Sequence, residues 1–297
     1  MGGVRLDAQI AEKGISSTHV TGYVSPKLKG LDLSIRADST NLGFLQPFIE
    51  GIFSEINGRV NGNVRLYGDF KHLDLEGEVR AKMDAKIDVL NTYFQIRDDS
   101  IHISSGSLDF RNVKVYDREG HDGLVNGYLH HTKLKNLMYH FNIRGNNLLM
   151  YNTYEAGNMP FYGKVYGTGN VVLDGGNNAM TVDASLTTGN NTSFTYITGV
   201  TTEAASNQFI TFVDKTPKRI HDNVETNLYH HSNVRKTKED DGPPMDLRIN
   251  MLIEATPSAT MKIIMDPVAG DNITATGNGN LQVNFFNKGD FRMFGSY

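Results

Sequence analysis

Leu73–Val89 reads LDLEGEVRAKMDAKIDV. Its odd positions, Leu73, Leu75, Gly77, Val79, Ala81, Met83, Ala85, Ile87 and Val89, are apolar or glycine. Its even positions, Asp74, Glu76, Glu78, Arg80, Lys82, Asp84, Lys86 and Asp88, are all charged. A helix would scatter those charges around its circumference, whereas a strand puts successive side chains on opposite faces. The run therefore predicts a sheet with one wet face and one apolar face. At ~3.3 Å per residue it could reach ~55 Å, far beyond a typical strand, as one strand or as two in the same phase.

The same alternation recurs on both sides. Val4, Leu6, Ala8 and Ile10 share a phase, as do Leu31, Leu33, Ile35 and Ala37, with a shorter candidate at Val20–Val24. Gly58–Gly68 carries Val60, Val64 and Leu66 in one phase, and Gly163–Gly175 carries Val165, Val171 and Leu173. A third version runs from Ile273 to Phe285 through Gly277, Gly279, Leu281 and Val283. The three read as one unit reused. In each, glycine occupies the apolar phase, which marks curvature or close approach of another backbone. Further strands are predicted at 93–96, 101–103, 108–115, 124–129, 137–143, 180–186 and 193–197. Leu247, Ile249 and Met251 then share a phase, and Ile263 lies in a last run at 261–265.

One short amphipathic helix is predicted near 45–57. Leu45, Phe48, Ile49, Ile52, Phe53 and Ile56 fall at spacings of three and four, with Pro47 suited to a first turn and Gly58 to the exit. Residues 215–244 are polar and aperiodic and predict a mobile insertion. The organisation expected is a β segment over 1–214, the insertion at 215–244, and a continuation of the same sheet over 245–297 that is cut short. Met1-Gly2-Gly3 leads straight into a strand pattern and another runs up to Tyr297, so the chain reads as a piece of something longer.

Composition sets outer bounds. The 297 residues carry 39% hydrophobic and 21% charged side chains, and no window has the apolar length of a spanning helix. A net charge of -4 gives no reason to expect nucleic acid as a partner. Without cysteine there are no disulfides or thiolate metal sites. Motifs of chemistry are weak. Gly167-Thr-Gly169 and Gly277-Asn-Gly279 open no helix, and His130-His131 and His230-His231 are adjacent pairs whose side chains diverge on a strand. Asp266 and Asp271 bracket a turn, and Asn191-Thr192-Ser193 matches a glycosylation sequon only in form. No nucleophilic triad or paired carboxylate emerges, so no enzyme, cofactor or metal is expected.

A one-sided sheet must hide its apolar face under a second layer. One short helix cannot cover so many strands, and runs this long do not suit a compact sandwich. A spanning outer-membrane barrel shares the alternation but lacks the Trp expected of interface girdles. The remaining solution is a long antiparallel sheet bent into a U, a β-taco, whose walls face each other across an apolar concave groove. Its lining is expected from Val60, Val64, Leu66, Leu73, Leu75, Val79, Met83, Ile87, Val89, Val165, Val171, Leu173, Leu247, Ile249, Met251, Ile263, Leu281 and Val283. An uncovered face of that extent implies a ligand. Acyl chains fit, because each buried CH₂ contributes ~0.8 kcal/mol.

Gly22–Pro26 (GYVSP), Leu90–Tyr93 (LNTY), Phe161–Gly163 (FYG), Met265–Asp271 (MDPVAGD) and Gly289–Tyr297 (GDFRMFGSY) resemble the C-terminal region of TamB, the AsmA-like envelope proteins, in their Bacteroides type. The resemblance implies a periplasmic β-taco in the envelope of a Gram-negative bacterium, tethered to the inner membrane by an N-terminal anchor absent from this sequence. It also implies an outer-membrane TamA/BamA-type barrel partner. The role implied is phospholipid transport between the two membranes or, alternatively, assembly of outer-membrane proteins by pairing of strand edges. A plain β-sandwich adhesin module needs no groove and stands as the third reading.

Overall fold

The computed structural model of the protein describes residues 3–12, 16–27, 29–46, 53–132, 135–156, 160–198, 246–267, 269–289 and 291–297. Among these described residues the alternating runs form seventeen strands of one open sheet. In chain order they are β1 (Val4–Glu12), β2 (Ser16–Ser25), β3 (Gly30–Asn41), β4 (Phe53–Asp69), β5 (His72–Ile87) and β6 (Thr92–Ser104). Next come β7 (Ser107–Asp117), β8 (Asp122–Thr132), β9 (Lys135–Thr153), β10 (Phe161–Gly176), β11 (Ala179–Thr188) and β12 (Ser193–Ile197). The last five are β13 (Asp246–Ala255), β14 (Thr260–Asp266), β15 (Asp271–Thr276), β16 (Gly279–Phe286) and β17 (Phe291–Ser296).

From β1 to β10 each strand pairs antiparallel with the next. Beyond β10 the sheet continues in half-length strands. The first residues of β10 pair with β12 and its later residues with β11. β13 runs parallel to β11 and β14 parallel to β12, the two parallel pairs among the described residues. β16 then pairs with β13, β15 with β14, and β17 with β16.

The opening run is a single strand of 16 residues, β5, in which Arg80 and Lys82 are exposed on the outer face. It ends at Ile87. Asp88–Leu90 form a 3₁₀ turn closed by Asn91 in the left-handed region (φ 49°). Val89, expected in the strand, is therefore in this turn, where the chain must reverse into β6.

Two other expectations change. Leu42–Leu45 form a 3₁₀ turn capped by Asn41, whose Oδ1 accepts from the Gly43 N–H at 2.7 Å, and residues from Phe53 onward already belong to β4. The helix expected near 45–57 therefore cannot run to 57; Gln46 is helical, and residues 47–52 lie outside the described residues. A spacing of four, as between Ile56 and Val60, satisfies both a helix and a strand. The even phase Ile56, Gly58, Val60, Gly62 is that of a strand, and Leu42 packs on Ile56, Val60 and Ala85 of the paired strands. The third glycine-rich run is broken after Thr276, so Ile273 is in β15 and Leu281 in β16. The insertion at 215–244 lies outside the described residues.

The break in that run belongs to a crease that crosses the strands. The β9–β10 pairing slips between Gly167 and Gly169, and the neighbouring strands are interrupted between Thr188 and Ser193, Ala255 and Thr260, and Thr276 and Gly279. These points lie side by side, because Gly167 pairs with Thr188, Thr187 with Glu254, and Ala255 with Gly279. Ring contacts show which way the sheet folds there. Phe285 shares a lateral row with Ile249, Val182 and Leu173. Phe161 lies twelve residues before Leu173 on β10. On a flat sheet that separates Phe161 from Phe285 by ~40 Å along the strands and ~14 Å across them. Their ring centroids are 5.7 Å apart. The sheet is folded with its apolar face inside, as a U whose walls are the two halves of the same strands.

A second fold-over involves β9, which outruns the β7–β8 hairpin. Asn91 Nδ2 donates to the Asn152 carbonyl at 2.6 Å. Flat, β6 and β9 would stand ~14 Å apart.

Candidate functional site

Register decides which side chains share a face, because directly paired residues point the same way. One lateral row runs Ala8, Val20, Ile35, Val64, Gly77, Ile103, Leu108, Leu129, Tyr139, Gly175, Met180 and Leu247, each paired with the next. It crosses twelve strands without leaving the apolar phase, a reach of ~50 Å at the usual strand spacing.

The same register gathers the residues singled out from sequence onto this face. Val60 is buried on β4, with Val64 and Leu66 half-buried beside it. Leu73, Leu75, Val79, Met83 and Ile87 are half-buried along β5, as are Val165, Val171 and Leu173 along β10. Leu247 and Val283 are buried, and Ile249, Met251, Ile263 and Leu281 are half-buried. Val89 is the exception, displaced into the turn after β5.

Glycine tunes the backbone of this face. Gly62 opposes Val79 with φ +152°, a conformation other residues rarely adopt, and a Cβ there would strike the Glu78 carbonyl. Gly169, at the crease, has φ +151° and faces the Ser185 carbonyl in the same way.

The outer face is polar. Arg65 bridges Asp32 at 2.8 Å and Glu76 at 2.9 Å, and hydrogen bonds from Arg65 hold the Asp32 carboxyl below its ordinary range. Arg80 pairs with Asp98 at 2.8 Å. Such exposed pairs contribute little stability each. They keep the charged phase of β5 in water and so fix which face is wet.

Asp117 is the exception to an apolar interior. Its side chain is 1% exposed, on the apolar side opposite Phe94. Its Oδ1 accepts the Glu119 and His121 N–H groups, and its Oδ2 accepts the Leu149 N–H and His121 Nδ1–H, at 2.8–2.9 Å. Burial pushes its pKa up, but the bonds from Leu149 and His121 outweigh this and hold the carboxyl below the usual range. With four donors bound, the carboxylate staples the tip of the β7–β8 hairpin to β9 at the second fold-over. Nothing in the sequence pattern distinguished this residue from an ordinary turn aspartate.

The interior aromatic residues were also missed. Phe110 and Phe141 meet edge to face at 5.2 Å over Gly127, which pairs with both. Phe161 contacts Phe194 and Phe291 at 5.7 Å, and Tyr196 stacks on Phe291 at 4.4 Å. A cleft of about 520 Å³ lies beside that stack, lined by Tyr196 and by Phe291–Phe294. Their phase was legible, since Phe161 precedes Gly163 and Val165 by even steps, but contact between distant strands was not.

His131 is buried next to the β6–β7 turn, where its N–H donates to the Gly106 carbonyl at 2.9 Å. Its neighbour His130 points to the outer face, where its ring lies 4.1 Å from that of Tyr128. Among the described residues no three metal-ligating side chains come together, and no helix is long and apolar enough to cross a membrane.

Compared with known families, residues 111–297 match the model of the TamB C-terminal domain. That stretch takes in β8 to β17 and most of β7, while the run Leu73–Val89 lies outside it. No curated protein and no solved structure matches the chain.

Proposed function

The chain belongs to the TamB family, and from that premise we propose that its apolar face is a non-enzymatic groove for phospholipid acyl chains. In this reading it forms part of a periplasmic bridge between the inner and outer membranes of a Gram-negative envelope. The observation that carries it is the half-buried aliphatic surface of β4 and β5, where Val64, Leu66, Leu75, Val79 and Met83 share one face. Towards the edge of the sheet that face opens further, with Val4 and Ile10 each 64% exposed. A continuous apolar surface of this kind on a strongly charged sheet marks an interaction site. Acyl chains match it because they need neither hydrogen bonds nor a fixed register, and each buried CH₂ contributes ~0.8 kcal/mol. The anchor in the inner membrane and a TamA/BamA-type barrel in the outer membrane are the partners this role requires.

A second reading is a scaffold for outer-membrane proteins. It draws on the open edges of the sheet, since among the described residues β1 is paired only with β2 and β17 only with β16. An unpaired edge can accept a strand from another chain.

Native mass spectrometry of the purified chain separates the two. The groove predicts co-purified phospholipid that leaves on delipidation and returns from vesicles. A chain that never carries lipid, yet retains a barrel partner, supports the scaffold instead.

A further inference from the structure

The apolar face is not the same along its length. The described residues of this face from β1 to β5 are aliphatic or small. Aromatic side chains begin on the next strands and become dense around the crease. There the two walls touch. Phe161 and Tyr196 come from one side of the crease, Phe285 and Phe291 from the other, and their rings meet at 4.4–5.7 Å. The apolar residues around them are packed away from solvent: Val283 is 3% exposed, Leu247 4% and Phe285 9%. Burial alone does not divide the face, since Val60, Ala81 and Ala85 on β4 and β5 are buried too, and Val79 and Met83 pack against the cluster that holds Val60 and Ala85. The difference lies in the rings that join the walls and in the β1 edge, where Val4 and Ile10 are each 64% exposed. An acyl chain is a flexible cylinder that needs free space between the walls, and rings in van der Waals contact leave none where they meet; the cleft beside Tyr196 and Phe291 lies next to that contact.

We propose that Phe161, Tyr196, Phe285 and Phe291 form the end-stop of the groove. An acyl chain lies against β1–β5 and is halted where these rings join the walls, so that lipid leaves over the rim before β9 and not along the interior towards β17. The end-stop rests on the lipid-groove reading. It divides one continuous sheet into an open, lipid-accepting part and a closed part whose apolar face is its own core.

The test places a small diazirine-bearing aliphatic residue at Val79 or at Ile249 in the full chain and irradiates it with radiolabelled phosphatidylethanolamine–phosphatidylglycerol vesicles. Both positions are half-buried on the same face. The end-stop predicts lipid label at Val79 and background at Ile249. It further predicts that Phe161→Leu with Phe291→Leu raises label at Ile249 while Val79 is unchanged. Leucine keeps the site apolar and removes the ring, and Phe291→Leu alone, on the edge strand, serves if the double variant loses its circular dichroism signal. Equal label at both positions in the unaltered protein overturns the end-stop and leaves the groove standing. Label at neither overturns the groove, and the end-stop with it. A folded variant with no gain at Ile249 shows that the rings do not do the stopping.

Discussion

The Asn112 backbone N–H donates to Asn126 Oδ1 on the neighbouring strand at 2.8 Å, while Asn126 Nδ2 donates back to Asn112 Oδ1 at 3.1 Å. Asn112 sits in a register slip between β7 and β8 with φ 54°. Two other slips are built alike. Ser39 (φ 53°) donates its N–H to Asn61 Oδ1 at 2.7 Å, and Asn147 (φ 54°) donates to Thr168 Oγ1 at 2.9 Å. An extra residue bends its strand, and a polar side chain one strand over satisfies the N–H that the bend removes from the ladder. Repeated in β3, β7 and β9, the device curves the sheet.

The left-handed conformation of Asn112 gives the first prediction. Asn112→Gly adopts positive φ without strain and gives up only the exposed bond from Asn126 Nδ2, so it should lose no more than about 0.5–1 kcal/mol. Asn112→Val should lose ~1–2 kcal/mol more than Asn112→Gly, the cost of forcing a branched side chain into that region. Urea titration of the two variants checks the ordering.

Asp117 gives the second. Asp117→Asn places an N–H₂ group where Leu149 and His121 need an acceptor, and should lose ~2–3 kcal/mol at neutral pH, the scale of hydrogen bonds to a charged group. The sign of its pH dependence follows from a carboxyl held below its ordinary value. Its stabilisation is complete above the unfolded-state pKa of ~3.9 and is lost as pH falls through the lower folded value. Denaturant titrations of both proteins between pH 7 and pH 2.5 should therefore converge in acid, and a gap that stays constant would contradict the assignment.

Gly62 gives the third. Gly62→Ala must abandon φ +152° or push its Cβ into the Glu78 carbonyl, and should lose ~1–3 kcal/mol. Gly270, at a turn with open space around it (φ +84°), is the comparison. Gly270→Ala carries only the strain of its φ, so its melting temperature should fall less than that of Gly62→Ala.

How much of this was legible beforehand depended on the kind of information. Period-two alternation in Leu73–Ile87 reports local geometry, and it placed Arg80 and Lys82 outside and Val79 and Met83 on the apolar face. The U shape followed from counting cover: many one-sided strands and almost no helix. The helix near 45–57 failed at its end because spacings of four serve both periods. Curvature was read from glycines in the apolar phase, and Gly62 and Gly169 do hold special conformations. The bends are also made by Ser39, Asn112 and Asn147, which look like ordinary outer-face polar residues. The ring cluster was out of reach for a different reason. Whether Phe161 meets Phe285 depends on a crease far along the strand from either residue, and no local pattern encodes that distance.

The connection between β12 and β13 gives the fourth prediction. The described ends flanking it lie close to the same hairpin: Tyr196 stacks on Phe291 at 4.4 Å, and Lys288 Nζ pairs with Asp246 at 2.5 Å. A long connection is not needed to join them, and loop-closure entropy depends only weakly on length. Replacing residues 215–244 by a short Gly/Ser bridge should shift the melting temperature by less than about 5 °C, which for a domain this large is roughly 3 kcal/mol. A greater loss would make the segment part of the fold.

The central claim is that the apolar face of β5 is an open, lipid-bearing wall, and Val79→Asp combined with Met83→Asp tests it most directly. In a sealed sandwich core two uncompensated carboxylates would cost several kcal/mol or be forced to stay protonated. In an open groove they remain hydrated, yet raise a polar barrier to an acyl chain. The measurement is photo-crosslinking to phospholipid from position Ile87, with a circular dichroism melt of the same sample. The groove predicts a folded double variant that has lost its lipid crosslinks. Unfolding of the variant, or a folded variant that crosslinks lipid as strongly as the unaltered protein, would contradict it.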